Sequence, residues 1–381
     1  MFQFFRSTLP VFVLLLVVAL YASAAMPAQD APPEWVYVGT QDHRIETLQL
    51  DTSSGELEVV ASSGGDIRPT WLMAHPRLPV LYAVDDQSST TGSVTAFGVN
   101  RETGDLRRLA VVATKGIGTT HLTFDASSDT ILAANYNSGS VSSVAVREGE
   151  PQALASTISE RGSGPNKRQM SAHAHDAVVD PSGRYVLVPD LGADRVFVYR
   201  FDRLTHTLSK DDANPPRDFV ASFGSGPRHI VFGADGRFAY LVTELSADVL
   251  VFRWDAQKGR LTLAQPLPIS TTGFASVKSG AEITVSGDGH FVYVANRGEN
   301  QIVVYRVDAA IGTLSEIQRV ASDGSKPWSF GIDTTGRWLV VANQESGTVN
   351  VLAIDRKSGL LKSTGHSVKV ERAVTVAFVV G

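Results

Sequence analysis

Four side chains of this 381-residue chain have types that could together work on an ester ring: His175, Arg228, Glu244 and Arg297. A carboxylate or an imidazole near neutral poise can move a proton. A guanidinium binds carboxylate or phosphate through paired N–H bonds and can stabilise a developing oxyanion. The set suits an anionic ester or lactone. His121, His229 and Glu282 stand at comparable sequence positions and are candidates for substrate binding. No serine sits in a nucleophile-elbow context, so a serine-based triad is not expected. The nine histidines are scattered along the chain. Neither a metal site nor a cofactor is therefore expected.

These residues lie far apart, so the fold must gather them. One pattern recurs: a short apolar run, a Gly-centred turn, a β-branched run and a third alternating run. It is clearest from Ser171 to Asp202 and repeats from Arg228, Ala281 and Trp328. The turn glycines are Gly183, Gly236, Gly289 and Gly336, a period of about 50 residues. Weaker copies begin at Trp71 and His121, the latter with Ser128 in place of the glycine. No run has the spacing of an amphipathic helix. The expected fold is all-β, a seven-bladed β-propeller of four-stranded antiparallel blades. The blades are read as 35–62 with 373–381, 71–115, 121–158, 173–222, 228–270, 281–322 and 328–366. Trp35 to Thr40 matches a second strand whose inner partner is missing at the N-terminus. Ala373 to Val379 should supply that partner and close the ring.

In a propeller the inner strands line the central channel. Inner-strand starts carry His121, His175, Arg228-His229, Glu282 and Trp328-Ser329. Second-strand ends are read as Thr40, Asp85, Asn135, Asp190, Glu244, Asn296 and Asn343, with Arg297 following Asn296. The short members of that set should cap turns. Glu244 is longer and should reach the channel. The loops Asp51-x3-Gly55, Asn100-x3-Gly104, Asp308-x3-Gly312 and Asp355-x3-Gly359 read as hairpin turns.

Residues 1–24 read as a signal peptide: Arg6, an apolar run from Leu9 to Tyr21, then Ala22-Ser23-Ala24 as a small-x-small cleavage site. Residues 25–34 read as a Pro/Ala linker and 35–381 as the propeller. A periplasmic or secreted monomer, without stable membrane insertion after cleavage, is the expectation. Net charge is −5, which does not favour nucleic acid as a partner. The chain has no cysteine, which excludes disulfides and thiolate chemistry.

The segments HAHDAVVDPSGRYVLVPDLGADRVFVYRFD at His173, GSGPRHIVFGADGRFAYLVTEL at Gly224, YVANRGENQIVVYRVD at Tyr293 and VVANQESGTVNVLAID at Val340 resemble the bacterial lactonase family of seven-bladed propellers. That family includes the propeller-type 6-phosphogluconolactonases and the fungal carboxy-muconate lactonising enzyme. The resemblance implies a channel set of His175, Arg228, Glu244 and Arg297. It departs at Lys326-Pro327-Trp328, where the family often shows a Pro-Arg pair. The implied function is hydrolysis of a sugar or other anionic lactone. Glu244 or His175 would activate water, and Arg228 and Arg297 would hold the acidic group and the carbonyl oxygen. Alternatives are a muconate-type lactonising cycloisomerase and an exported propeller that binds a ligand or protein without turnover.

Overall fold

The computed structural model describes residues 1–3, 34–210 and 213–379. The expected signal peptide and nearly all of the linker lie outside the described residues. Residues 34–379 form seven antiparallel sheets, each a blade running from an inner to an outer strand.

Blade one is Ala373–Val379, Glu34–Thr40, Arg44–Leu50 and Leu57–Gly64. Blade two is Leu72–Ala74, Val80–Val84, Thr91–Val99 and Leu106–Ile117, and blade three is Thr119–Asp125, Thr130–Asn135, Ser140–Arg147 and Glu150–Ser159. Blade four is Val178–Val179, Tyr185–Asp190 and Arg195–Asp202, its outer edge shared by Thr207–Ser209 and Phe219–Val220. Blade five is Pro227–Phe232, Phe238–Thr243, Asp248–Asp255 and Arg260–Pro268. Blade six is Gly280–Val285, Phe291–Asn296, Gln301–Val307 and Leu314–Ala321, and blade seven is Pro327–Ile332, Trp338–Asn343, Thr348–Ile354 and Leu361–Lys369.

Second strands are buried along their length because neighbouring blades cover both their faces; Phe291–Asn296 and Tyr185–Asp190 expose nothing. Outer strands alternate exposed with half-buried residues. Apolar clusters fill the wedges between adjacent blades: Tyr240, Val242 and Val251 of blade five pack against Val292, Val294 and Val303 of blade six. The wedge between blades seven and one joins Val340, Val349 and Val351 to Val36, Val38 and Leu48.

The ring closes as expected. Ala373–Val379 pairs antiparallel with Glu34–Thr40, with Trp35 opposite Val379 and Val38 opposite Val376. The turn glycines take left-handed backbone, from φ 67° at Gly236 to 76° at Gly289. In blade three the left-handed position shifts one residue, to Asp129 at φ 49°, because Ser128 tolerates that conformation less well than an aspartate does. The hairpins at Gly55, Gly104, Gly312 and Gly359 each return an N–H to the Asp or Asn carbonyl four residues earlier.

One element differs from the sequence reading. The run from His175 to Val179 was expected to form the whole inner strand of blade four. The strand is only Val178–Val179, with an isolated bridge from Ala174 to Asp190. The ladder is made on both sides of Ala174, His175 N–H donating to the Pro189 carbonyl and Leu191 N–H to the His173 carbonyl, and it shifts register by one residue before Val178 pairs with Leu187. His173 and His175, two positions apart and so on one face, both touch Tyr136, His173 stacked and His175 edge-on.

A chain ending at Arg372 would leave Glu34–Thr40 without its inner partner and uncover Val36 and Val38. It is expected to lose the cooperative thermal transition of the full chain, read by near-UV circular dichroism. A sharp transition at the full-length midpoint would contradict closure by this strand.

Candidate active site

The blades bring a set of polar side chains to one mouth of the channel, around a cavity of ≈ 860 Å³. The position one residue past each second strand recurs in its lining: Gln41, Asp86 two residues past its strand, Tyr136, Glu244, Arg297 and Gln344. This corrects the alignment read from sequence. The cap of blade five is Thr243, whose Oγ1 accepts the Asp248 N–H at 2.9 Å. Glu244 is thus the counterpart of Arg297 and Tyr136, not of Asn296. Of the other residues read as caps, Thr40 and Asp190 accept N–H groups of their own turns, from Arg44 and Ala193, whereas Asn296 and Asn343 instead donate Nδ2 to the Ile269 and Ser322 carbonyls.

Glu244 is the centre of charge. Its Oε1 lies 2.5 Å from Arg168 Nη1 and 2.9 Å from Arg297 Nη2, and its Oε2 lies 3.0 Å from Arg228 Nε. The carboxylate is 3% exposed and Arg228 is 2% exposed. Burial alone would raise the Glu244 carboxyl, but Arg297, Arg228 and Arg168, with His175, outweigh it and hold it far below the usual carboxylate range. Burial and Arg297 bring Arg228 down to about 10, so it stays charged at neutral pH. Three guanidiniums against one carboxylate leave two positive charges in excess.

His175 Nε2 is 3.7 Å from Glu244 Oε2, too far for a direct hydrogen bond. Burial, Arg228 and His229 hold the His175 imidazole well below its ordinary value, so it is neutral at neutral pH. Arg297 also lies 4.4 Å from the centre of the Trp328 ring.

Local chain features aim these groups. The ladder shifts register between Pro227 and His229, a bulge that turns the consecutive Arg228 and His229 both toward the channel. Asp194 fastens two loops at once: it accepts the Gly224 N–H at 2.7 Å, the Gly226 N–H at 2.9 Å and Gln169 Nε2 at 2.7 Å. Those loops carry Arg228 and Arg168.

Of the seven residues singled out in the sequence, His175, Glu244 and Arg297 line the cavity. Arg228 contacts Glu244 from beneath. His121, His229 and Glu282 form a buried tier below the mouth and do not line it. In that tier His229 Nδ1 is 3.2 Å from Glu282 Oε1, His121 Nδ1 is 2.8 Å from Asp176 Oδ1, and Ser329 Oγ donates to Glu282 Oε2 at 3.1 Å. The rings of His121 and His229 are 4.6 Å apart, and those of His175 and His229 5.1 Å. Burial raises the Glu282 carboxyl and lowers the His229 imidazole, so both favour their neutral forms.

Arg168 and Tyr136, which donate to or lie beside Glu244, are among the cavity residues that the sequence reading missed. A signal for Arg168 was present: Gly162-Ser163-Gly164-Pro165 repeats the Gly224-Ser225-Gly226-Pro227 that introduces Arg228. Among the described residues no group of three or more His, Asp or Glu is arranged to hold a metal ion.

Fold and mouth together define a propeller of the lactonase type. The chain belongs to the lactonase family of seven-bladed β-propellers, whose model, "Lactonase, 7-bladed beta-propeller", matches residues 35–378. A 6-phosphogluconolactonase of Bacillus subtilis (strain 168) is 31% identical over 347 residues, 90% of this chain and 97% of that protein. A 6-phosphogluconolactonase of Formosa agariphila is 29% identical over 84% of this chain and 90% of that protein. Among solved structures, the periplasmic gluconolactonase of Pseudomonas aeruginosa superposes with a TM-score of 0.84 at 32% identity, covering 91% of this chain and 99% of that one.

Glu244→Gln removes the one anion that balances three guanidiniums, and is expected to cost about 3–5 kcal/mol in urea unfolding at pH 7. A carboxyl lowered on folding stabilises the native state above its usual value of 4.5, and that contribution is lost as the pH falls further. The gap between wild type and variant should therefore shrink below pH 4.5. Equal stability at pH 7 would contradict the cluster.

Proposed function

We propose that the protein is a lactone hydrolase acting on a sugar lactone or a related anionic lactone. The observation that carries this reading is the neutral His175 imidazole beside a carboxylate already committed to three guanidiniums. A carboxylate held so far below its usual range is a poor base, so the proton-transfer role falls to His175 and not to Glu244. His175 takes a proton from water as the water oxygen bonds to the lactone carbonyl carbon. Arg297 and Arg168 stabilise the oxyanion that forms. The ring C–O bond then breaks, and the imidazolium returns its proton to the departing ring oxygen. The products are a hydroxyl and a carboxylic acid, which loses its proton to solvent, and the excess positive charge of the mouth suits the resulting carboxylate. Glu244 holds the guanidiniums in place and stabilises the imidazolium while it exists.

Membership of the lactonase family supports this reaction class, as do the gluconolactonase and 6-phosphogluconolactonase descriptions of the relatives. The leader-like sequence, together with the periplasmic description of the Pseudomonas neighbour, supports an exported protein. An exported enzyme would meet aldonolactones more readily than a cytosolic sugar phosphate. Run in reverse, the same groups would close a diacid, so the test panel includes a muconolactone.

The test is hydrolysis of that panel by purified protein, followed by proton release. His175→Ala is expected to lower kcat about 10²–10⁴-fold, and Arg297→Ala about 10²–10³-fold, both with native circular dichroism. Because His175 is neutral well below pH 6.5, kcat/KM should show no fall attributable to its protonation near that pH. Unchanged rates in His175→Ala would remove the imidazole from the mechanism.

A further inference from the structure

The cavity is larger than the proposed reaction needs. At ≈ 860 Å³ it lies near the upper end of small-molecule sites, roughly 300–1,000 Å³, well beyond what one pyranose ring fills. Its reactive groups come from blades four, five and six. The opposite wall, from blades one, two and seven, carries a separate polar set: Gln41, Arg68, Asp86 and Gln344.

That set has unused hydrogen-bonding capacity. Asp86 Oδ2 accepts from Thr70 Oγ1 at 2.9 Å and is 3.7 Å from Arg68 Nη1. Among the described residues, Asp86 Oδ1 accepts no hydrogen bond and the Arg68 guanidinium donates none. Burial pushes the Asp86 carboxyl up to about 6 against the pull of Thr70 and Arg68, as befits a carboxylate short of donors. Gln344 Nε2 donates to Gln41 Oε1 at 3.1 Å, leaving Gln41 Nε2 and Gln344 Oε1 to offer a further donor and acceptor. Trp328, in blade seven between Arg297 and Gln41, gives an aromatic wall between the two halves.

Arg68 and Asp86 are neutral as a pair, and Lys326, which also lines the cavity, is paired with Glu345 at 3.5 Å. An anion placed there would meet Asp86. Alternating planar donors and acceptors beside an indole match instead the hydroxyls and C–H face of a neutral sugar ring.

We propose that Arg68, Asp86, Gln41 and Gln344 form a distal sugar subsite, so that the preferred substrate is a glycosyl-aldonolactone, a disaccharide lactone rather than a single-ring one. This rests on the lactonase reading for the proximal half only. The reducing-end lactone lies at His175 and Arg297, and the glycosyl unit reaches across the mouth to blades one and two.

The test is equilibrium binding, which needs no turnover. Lactobionate (a galactosyl-gluconate) and gluconate, as product probes, are titrated by calorimetry into wild type, Arg68→Ala and Asp86→Asn. Gln41→Ala serves as well, should either variant lower the melting temperature. Lactobionate is expected to bind wild type at least about tenfold tighter than gluconate, about 1.4 kcal/mol. The variants should close that gap while changing gluconate affinity less than about twofold. Equal affinities in wild type, no lactobionate binding at millimolar concentration, or a gap that survives all three variants each overturn the subsite. If lactobionate binds as expected but no lactone is hydrolysed, the subsite stands and the hydrolase reading falls. If lactones are hydrolysed but the affinity gap is absent, the hydrolase reading stands and the subsite falls.

Discussion

The ladder between Ala373–Val379 and Glu34–Thr40 is the constraint on which the rest depends. Each blade buries its faces only against its neighbours, so a ring opened at one seam exposes two apolar faces and a strand edge. The seam is mixed in origin, an inner strand from one chain end and three outer strands from the other. Closure therefore couples the stability of every wedge to the presence of the last strand. It also fixes the diameter of the mouth, and with it the distance at which side chains from different blades can meet.

Within that ring the strongest electrostatic feature is one carboxylate shared by three guanidiniums. Burying Glu244, Arg228 and Arg297 is costly, and the arrangement is tolerable because these guanidiniums and the more exposed Arg168 each have a short contact to Glu244, and Arg228 also donates to the Ala281 carbonyl at 2.6 Å. The consequence is chemical. Glu244 is so thoroughly satisfied that its capacity as a base is lost, while the surplus of positive charge remains at the mouth. The neighbouring imidazole, kept neutral by burial and by the same arginines, retains a lone pair. Two titratable groups in contact are thus driven to opposite roles by one environment. The histidine tier beneath extends the pattern, since its rings are close enough to feel each other's charge, and burial lowers the His229 imidazole and raises the Glu282 carboxyl.

The lining of the cavity also shows how a repeat fold acquires asymmetry. The residue just past the second strand turns into the mouth in most blades, whatever its type. Glutamine, tyrosine, glutamate and arginine occupy that place because the residue one position earlier, such as the cap Thr40 or Thr243, has already satisfied the turn. The scaffold demands the cap and leaves the next residue free for chemistry. Blades five and six use that freedom for charge, whereas blades one, two and seven use it for neutral or mutually balanced groups.

Blade number, blade type and closure were legible in the sequence, because strand alternation and turn glycines are local signals that repeat at a constant period. His175, Arg228, Glu244 and Arg297 were legible as a set through their repeat positions and the family resemblance. Arg168 was not singled out, since its loop lies outside any strand and only its GSGP string hinted at a partner for the Arg228 loop. The register of Glu244 was read one residue early, because threonine and glutamate are adjacent and only the Asp248 N–H reveals which one caps. The register shift that splits the inner strand between Ala174 and Val178 was hidden for a similar reason: it shows only against the paired strand Tyr185–Asp190. Local periodicity thus determined what the elements are. Which polar groups meet, and therefore which are acids, bases or holders of charge, depends on contacts between distant blades, and only the tertiary structure decided it.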